Sequence, residues 1–325
     1  MSHNHRSRGL NLKTAVVAGI GLSILTLALL RVRTRQLVRR TTAKYPPQGD
    51  FVTAAGLRIH ALDQGTGVPV VLIHGDGGST YDFTFSIFDR MQRQYRTIVI
   101  DRPGLGYSER PARGYDPFVQ ARYLHAAVDS LGAERPVLVG HSRGGTVALA
   151  YAISYPEDVR GVVDLAGQVY PEETAVSLPF RILSLPVVGP TLAHTLFPPL
   201  GRSGVRTGLG MAFLPEGDPP PDYLDAYASL DLRPGQLIAH AGDMVYADQF
   251  AAVMADAYSD LDVPVAVVHG SADRNVDVAQ SQQLASELPN AHLRVVEGAG
   301  HEVMFWHPEA VMDAVAWVVA QVDPH

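Results

Sequence analysis

The sequence predicts an α/β protein: a mostly parallel sheet with helices on both faces and an inserted helical cap. Three observations carry this expectation. Short apolar runs of strand length alternate with helical patterns from residue 51 onward, which implies βα units. In the middle of that alternation, the apolar run Pro136–Val139 meets the small, helix-compatible run Gly144–Ala150 at a sharp turn, Gly140-His141-Ser142-Arg143-Gly144, with a serine at its apex. Finally, residues 168–260 interrupt the rhythm, and these 93 residues hold 11 of the 23 prolines. A stretch so long is no plain loop, and the prolines predict short, broken helices laid over the sheet.

At the start of the chain, Thr14–Leu30 runs 17 residues without a charge. A helix of that length, at ~1.5 Å per residue, just crosses a bilayer core. The run ends in Arg31, Arg33, Arg35, Arg39 and Arg40 and not in a small-residue cleavage site, so an uncleaved anchor fits better than a signal peptide. The flank before it carries Arg6, Arg8 and Lys13, fewer charges than the flank after it, which predicts a cytoplasmic position for the large domain. Residues 1–13 then read as a basic tail, 14–30 as the transmembrane anchor and 31–50 as a basic linker. Core segments 51–167 and 261–325 flank the insertion at 168–260.

Within the core, FVTAAGLRIHALD (51–63) reads as two strands turned at Gly56. The run Val68–Ile73 is a strand buried on both faces, ending in His74-Gly-Asp76-Gly-Gly78. A helix over Tyr81–Gln94, a strand over Arg96–Ile100 and a helix over Pro117–Leu131 follow. After the serine turn come a strand over Arg160–Ala166 and, beyond the insertion, a strand over Val263–Val268. A helix over Val276–Leu288, a strand over His292–Val296 and a helix over Pro308–Val322 complete the chain.

Composition excludes several chemistries. There is no cysteine, hence no disulfide, thiolate metal site or cysteine nucleophile. Residues 51–325 hold 17 basic and 32 acidic residues, a poor match to nucleic-acid phosphates. No glycine-rich nucleotide loop follows a strand, so no cofactor is expected. His301 and His307 are too far apart for the HExxH zinc spacing, so no metal is expected either.

A serine hydroxyl needs a base within reach and a third group to orient that base. Asp273 lies on the loop after the strand Val263–Val268, and His301 on the loop after His292–Val296. In a parallel sheet both loops share an edge with Ser142. His301 is expected to take the Ser142 proton, and Asp273 to orient and stabilise the imidazole. Backbone N–H groups of Asp76 and Arg143 are the expected donors to the oxyanion.

These residues carry a resemblance. His74-Gly75, Asp101-Arg-Pro-Gly-Leu-Gly-Tyr-Ser108, Gly140-His-Ser-Arg-Gly144, Gly270-Ser-Ala-Asp273 and Gly298-Ala-Gly-His301 occur in the order seen in α/β-hydrolases. The chain resembles the cap-bearing branch of that superfamily, the esterases and lipases, over about residues 50–322. The resemblance implies that the cap forms the substrate pocket. Asp76 departs from the pattern, since a carboxylate aimed at an oxyanion would oppose catalysis, and its side chain is expected to point away. Asp164 is a lesser candidate for the acid. Asp101 is expected to anchor its own turn, His74 and His141 to be structural, Arg143 to be a surface residue acting through its backbone, and Tyr223 and Tyr227 to be packing. The expected activity is cleavage of a lipophilic, small-molecule carboxylic ester through an acyl-enzyme. The same triad also serves C–C, thioester or amide hydrolysis, and a binding protein that kept the fold is a third reading.

Overall fold

The computed structural model describes residues 12–172 and 176–322. Its eight-stranded sheet comprises β1 (Asp50–Ala54), β2 (Leu57–Gln64), β3 (Pro69–Ile73), β4 (Arg96–Ile100), β5 (Val137–His141), β6 (Gly161–Leu165), β7 (Val265–Gly270) and β8 (Ala291–Val296). Their spatial order is β1-β2-β4-β3-β5-β6-β7-β8. β1 and β2 pair antiparallel, as does β2 with β4, and every remaining pair is parallel.

The period-two rule divides the buried strand residues between two cores. Val71, Ile73 and Leu138 face one apolar cluster with Leu124, Val128, Val147 and Leu284. Val70, Leu72, Val137 and Val139 face the other, with Phe83, Met91, Val311 and Val315. Both faces are therefore covered, which is why β5, β6 and β7 are buried along their whole length.

Several expectations need correction. The predicted helix over Tyr81–Gln94 is two short pieces, Thr80–Thr84 and Phe88–Met91. Val169 and Tyr170, assigned by sequence to the insertion, pack in the core, and both of their N–H groups donate to Gln280 Oε1. The insertion does hold short helices, Leu178–Leu183, Val188–Ala193 and Phe197–Leu200, followed by Arg202–Ala212 and Pro221–Asp231. It also holds a 22-residue helix, Pro234–Ala255. Prolines crowd the earlier part of the segment, and after Pro234 opens this helix in its first turn none follows until Pro264.

The N-terminal helix runs from Leu12 to Lys44, so the linker expected at 31–50 is helical for most of its length. Arg, Gln and Leu are good helix formers, and Pro46-Pro47 supplies the stop. Its apolar first half is exposed, with Val17, Leu22, Ile24 and Leu29 all more than 60 % accessible. Ala15–Lys44 is long and apolar enough to cross a membrane. Its second half lies on the cap: Thr34 Oγ1 donates to Thr195 O at 3.2 Å, and Lys44 Nζ meets Asp225 at 2.7 Å.

Candidate active site

The turn after β5 forces Ser142 into φ 53°, ψ −121°, a left-handed region in which a non-glycine residue stores roughly 1–3 kcal/mol of strain. The residues two before and two after it must be glycine. A Cβ on Gly140 would lie 2.2 Å from Gly144 O, and one on Gly144 would lie 2.1 Å from Ile73 O. This crowding holds the serine at the apex, between β5 and the helix Arg143–Ser154.

Asp273 follows β7 and His301 follows β8, both at the edge that carries Ser142. His301 Nδ1 lies 2.7 Å from Asp273 Oδ2. His269 Nε2 reaches the same oxygen at 3.0 Å, and the N–H groups of Asn275 and Val276 donate to Oδ1 at 2.7 and 3.1 Å. Burial alone would raise the Asp273 carboxyl, but His301, His269 and these N–H groups hold it far below the ordinary carboxylate range. Ser142 and His301 line one cavity of about 760 Å³ between sheet and cap. With Nδ1 committed to Asp273, the His301 ring keeps Nε2 for that cavity. The structure thus places Ser142 and His301 on one cavity and Asp273 against the His301 ring. Asp164 sits elsewhere, buried against Gly145 and Gly167.

Asp76 and Arg143 also border the serine, on the loop after β3 and at the first turn of the Arg143–Ser154 helix. The Asp76 carboxylate lies 3.2 Å from Arg102 Nη2 and 3.6 Å from Arg143 Nε. Burial would raise its pKa, but the two guanidiniums keep it below the ordinary value. Arg143 is not the surface residue expected: it is 4 % exposed, and its Nη2 donates to Gln168 Oε1 at 3.0 Å. Arg102, fully buried, also donates to Asp243 Oδ2 at 2.8 Å, to Gln120 Oε1 at 3.0 Å and to Gly75 O at 2.9 Å. Asp243 belongs to the long cap helix, so this cluster ties cap to core.

The structural roles expected of His74, Asp101 and His141 hold. His74 Nδ1 donates to Gly75 O, its Nε2 accepts from Arg102 N, and burial pushes its pKa down to about 4. Asp101 Oδ2 accepts from Tyr107 N at 2.7 Å within its own turn and pairs with His60. His141 Nε2 donates to His301 O at 3.1 Å. Tyr223 and Tyr227 are more than packing: both line the cavity, and Tyr227 OH donates to Asp76 O at 2.8 Å.

Sequence reasoning missed His269, Asp82 and Glu302. His269 stands four residues before Asp273 at a strand end, a spacing that could have drawn attention to it. Asp82 and Glu302 carried no such signal, since only the folded chain buries them.

A parallel sheet that presents a strained serine, an imidazole and a carboxylate at one edge beneath a helical cap defines a hydrolase of the α/β class. Residues 68–308 match the alpha/beta hydrolase fold family, and the chain belongs to it. Among its relatives is a 2-hydroxymuconate semialdehyde hydrolase of Pseudomonas putida, 33 % identical over 305 residues, covering 86 % of this chain and 96 % of the relative. A meta-cleavage product hydrolase from Pseudomonas fluorescens IP01 shares the fold at TM-score 0.69 and 23 % identity, covering 85 % of this chain and 98 % of its own. A membrane phospholipase A does so at TM-score 0.68 and 21 % identity, over 97 % of this chain and 98 % of its own.

Proposed function

We propose that Ser142, His301 and Asp273 form a catalytic triad that hydrolyses a C–C bond beside a ketone. The observation that carries the triad is the 2.7 Å contact of His301 Nδ1 with Asp273, combined with the cavity that His301 shares with Ser142. The choice of bond rests on the 33 % identity to a 2-hydroxymuconate semialdehyde hydrolase over nearly all of that relative. In this reading Ser142 Oγ attacks the ketone carbon while His301 takes its proton. The Asp76 and Arg143 N–H groups receive the negative oxygen, the latter aided by the positive end of its helix. Collapse expels a carbon fragment whose electron pair must be delocalised onto a second carbonyl, and His301 returns the proton to it. Water then attacks the acyl-serine, again through His301, and frees the acid.

Ester cleavage is the second reading. It is favoured by the apolar cavity wall (Phe180, Leu183, Phe197, Val205 and Leu237) and by the exposed apolar helix at residues 15–30, which we read as a membrane anchor suited to lipophilic substrates. Side-by-side turnover of a vinylogous diketone and of p-nitrophenyl esters of graded acyl length decides between them. The C–C reading predicts the diketone to be faster. Faster turnover of any ester would transfer the assignment to ester hydrolysis.

A further inference from the structure

The cavity lining carries six carboxyl groups, and four of them are answered locally. Asp76 has Arg102 and Arg143. Asp231 meets His240 Nδ1 at 3.0 Å. Asp248 Oδ1 accepts from Gln168 Nε2 and Glu172 N, and Glu172 Oε1 accepts from Gln280 Nε2 at 2.6 Å. Of the remaining two, Asp82 meets only neutral donors and Glu302 has an unpartnered oxygen. Among the described residues neither has a Lys or Arg within ion-pair distance. Asp82 accepts from Ser79 N at 3.3 Å and from the Tyr223 hydroxyl, and its charge raises the Glu302 carboxyl beside it. Glu302 is 5 % exposed, and its Oε2 has no hydrogen-bond partner. Its nearest basic neighbour, His141 Nε2 at 4.0 Å, is committed to His301 O and stays neutral, since burial pushes its pKa down to about 3.

We propose that the Asp82–Glu302 end of the cavity binds an alkylammonium group of the substrate or product and rejects a carboxylate there. The site rests on the reading of this cavity as the substrate site and adds a substrate class to it. An ammonium brought out of water needs negative partners, and two carboxyl groups within one buried site supply them. Tyr223 and Tyr227, which line the same end, add ring faces for a cation. Burial pushes the Asp82 carboxyl up to about 7, and burial followed by the Asp82 and Asp273 charges raises Glu302 well above its ordinary value, so a cation brought there also relieves unfavourable charge. A carboxylate ligand finds no Lys or Arg in the lining, and the one basic group beyond the triad region, His240, is already opposed by Asp231 and Asp76.

The test is calorimetric titration of the full chain carrying Ser142→Ala with hexylammonium and with hexanoate at pH 7.5. Hexylammonium is expected to bind at least about tenfold more tightly. Adding Glu302→Gln should shrink that preference to about threefold or less, and adding Asp82→Asn should do the same if the first variant fails to fold. Equal or tighter binding of hexanoate, no binding of hexylammonium, or a preference unchanged by both variants would overturn the proposal. Fluorophosphonate labelling of the unaltered chain reports separately on Ser142. A lost preference with intact labelling sinks only the ammonium site, and lost labelling with an intact preference sinks only the triad.

Discussion

His269 Nε2 lies 3.0 Å from Asp273 Oδ2, the same carboxylate oxygen that meets His301 Nδ1. Nε2 also lies 3.1 Å from Val276 O, so it carries the ring proton and shares it between two acceptors, while Nδ1 accepts from the Ser281 hydroxyl at 2.6 Å. We propose His269 as a positioning residue, which holds the carboxylate that in turn holds the His301 ring.

Removing this support should weaken the chemical step without touching substrate. For His269→Leu we expect kcat to fall about tenfold, the equivalent of about 1.4 kcal/mol for one lost charge-assisted hydrogen bond, with KM within about twofold. Asp273→Asn should cost about 10⁴ in kcat, because the amide orients the wrong imidazole tautomer. Steady-state kinetics on both variants checks the ranking. A KM rise with constant kcat in His269→Leu would assign that residue to binding instead.

The Arg102–Asp243 pair joins the loop after β4 to the cap, with both side chains almost wholly buried. Breaking such a pair leaves an uncompensated charge. Arg102→Met should therefore destabilise the fold by about 3–5 kcal/mol, and the double variant Arg102→Met/Asp243→Leu by clearly less than the sum of the two single changes. Urea denaturation of the four chains in the cycle measures the coupling. Additive losses would mean that the two groups do not support each other.

Asp164 predicts a pH effect of definite sign. Burial pushes its carboxyl up to about 7 from the ordinary 3.8, against a smaller opposing pull from His269. Between those values the folded chain holds a proton that the unfolded chain has lost. Stability therefore falls as pH rises, by up to about 1.4 kcal/mol per pH unit, and the loss levels off once pH exceeds the folded value. Asp164→Asn should flatten the decline in Tm between pH 5 and pH 8. Some decline should remain, because burial also pushes Asp82 to about 7. Parallel Tm curves for the two chains would remove Asp164 as a source.

Much of this arrangement was readable from residues alone, for local reasons. β4 and the last helix fall where Arg96–Ile100 and Pro308–Val322 were read, because an apolar run and a proline-opened amphipathic stretch mark their own limits. The Ser142 turn was readable because its glycines answer to steric crowding within five residues. Long-range pairing was not readable: 141 positions separate Arg102 from Asp243, and no periodicity links them. The basic stretch after Arg31 looked like a linker because its apolar run had ended, yet cap contacts at Thr34 and Lys44 hold it as a helix. Glu302, although adjacent to His301, showed nothing in sequence of its burial in the folded chain.

We propose above all that Ser142 is a nucleophile activated by His301. The most direct measurement is mass-spectrometric mapping of a fluorophosphonate adduct, with labelling rates compared between the unaltered chain and His301→Ala. A single adduct on Ser142 is expected, forming at least about 10³-fold more slowly once the imidazole is removed. A folded chain left unlabelled at Ser142, or one labelled equally fast without His301, would contradict it.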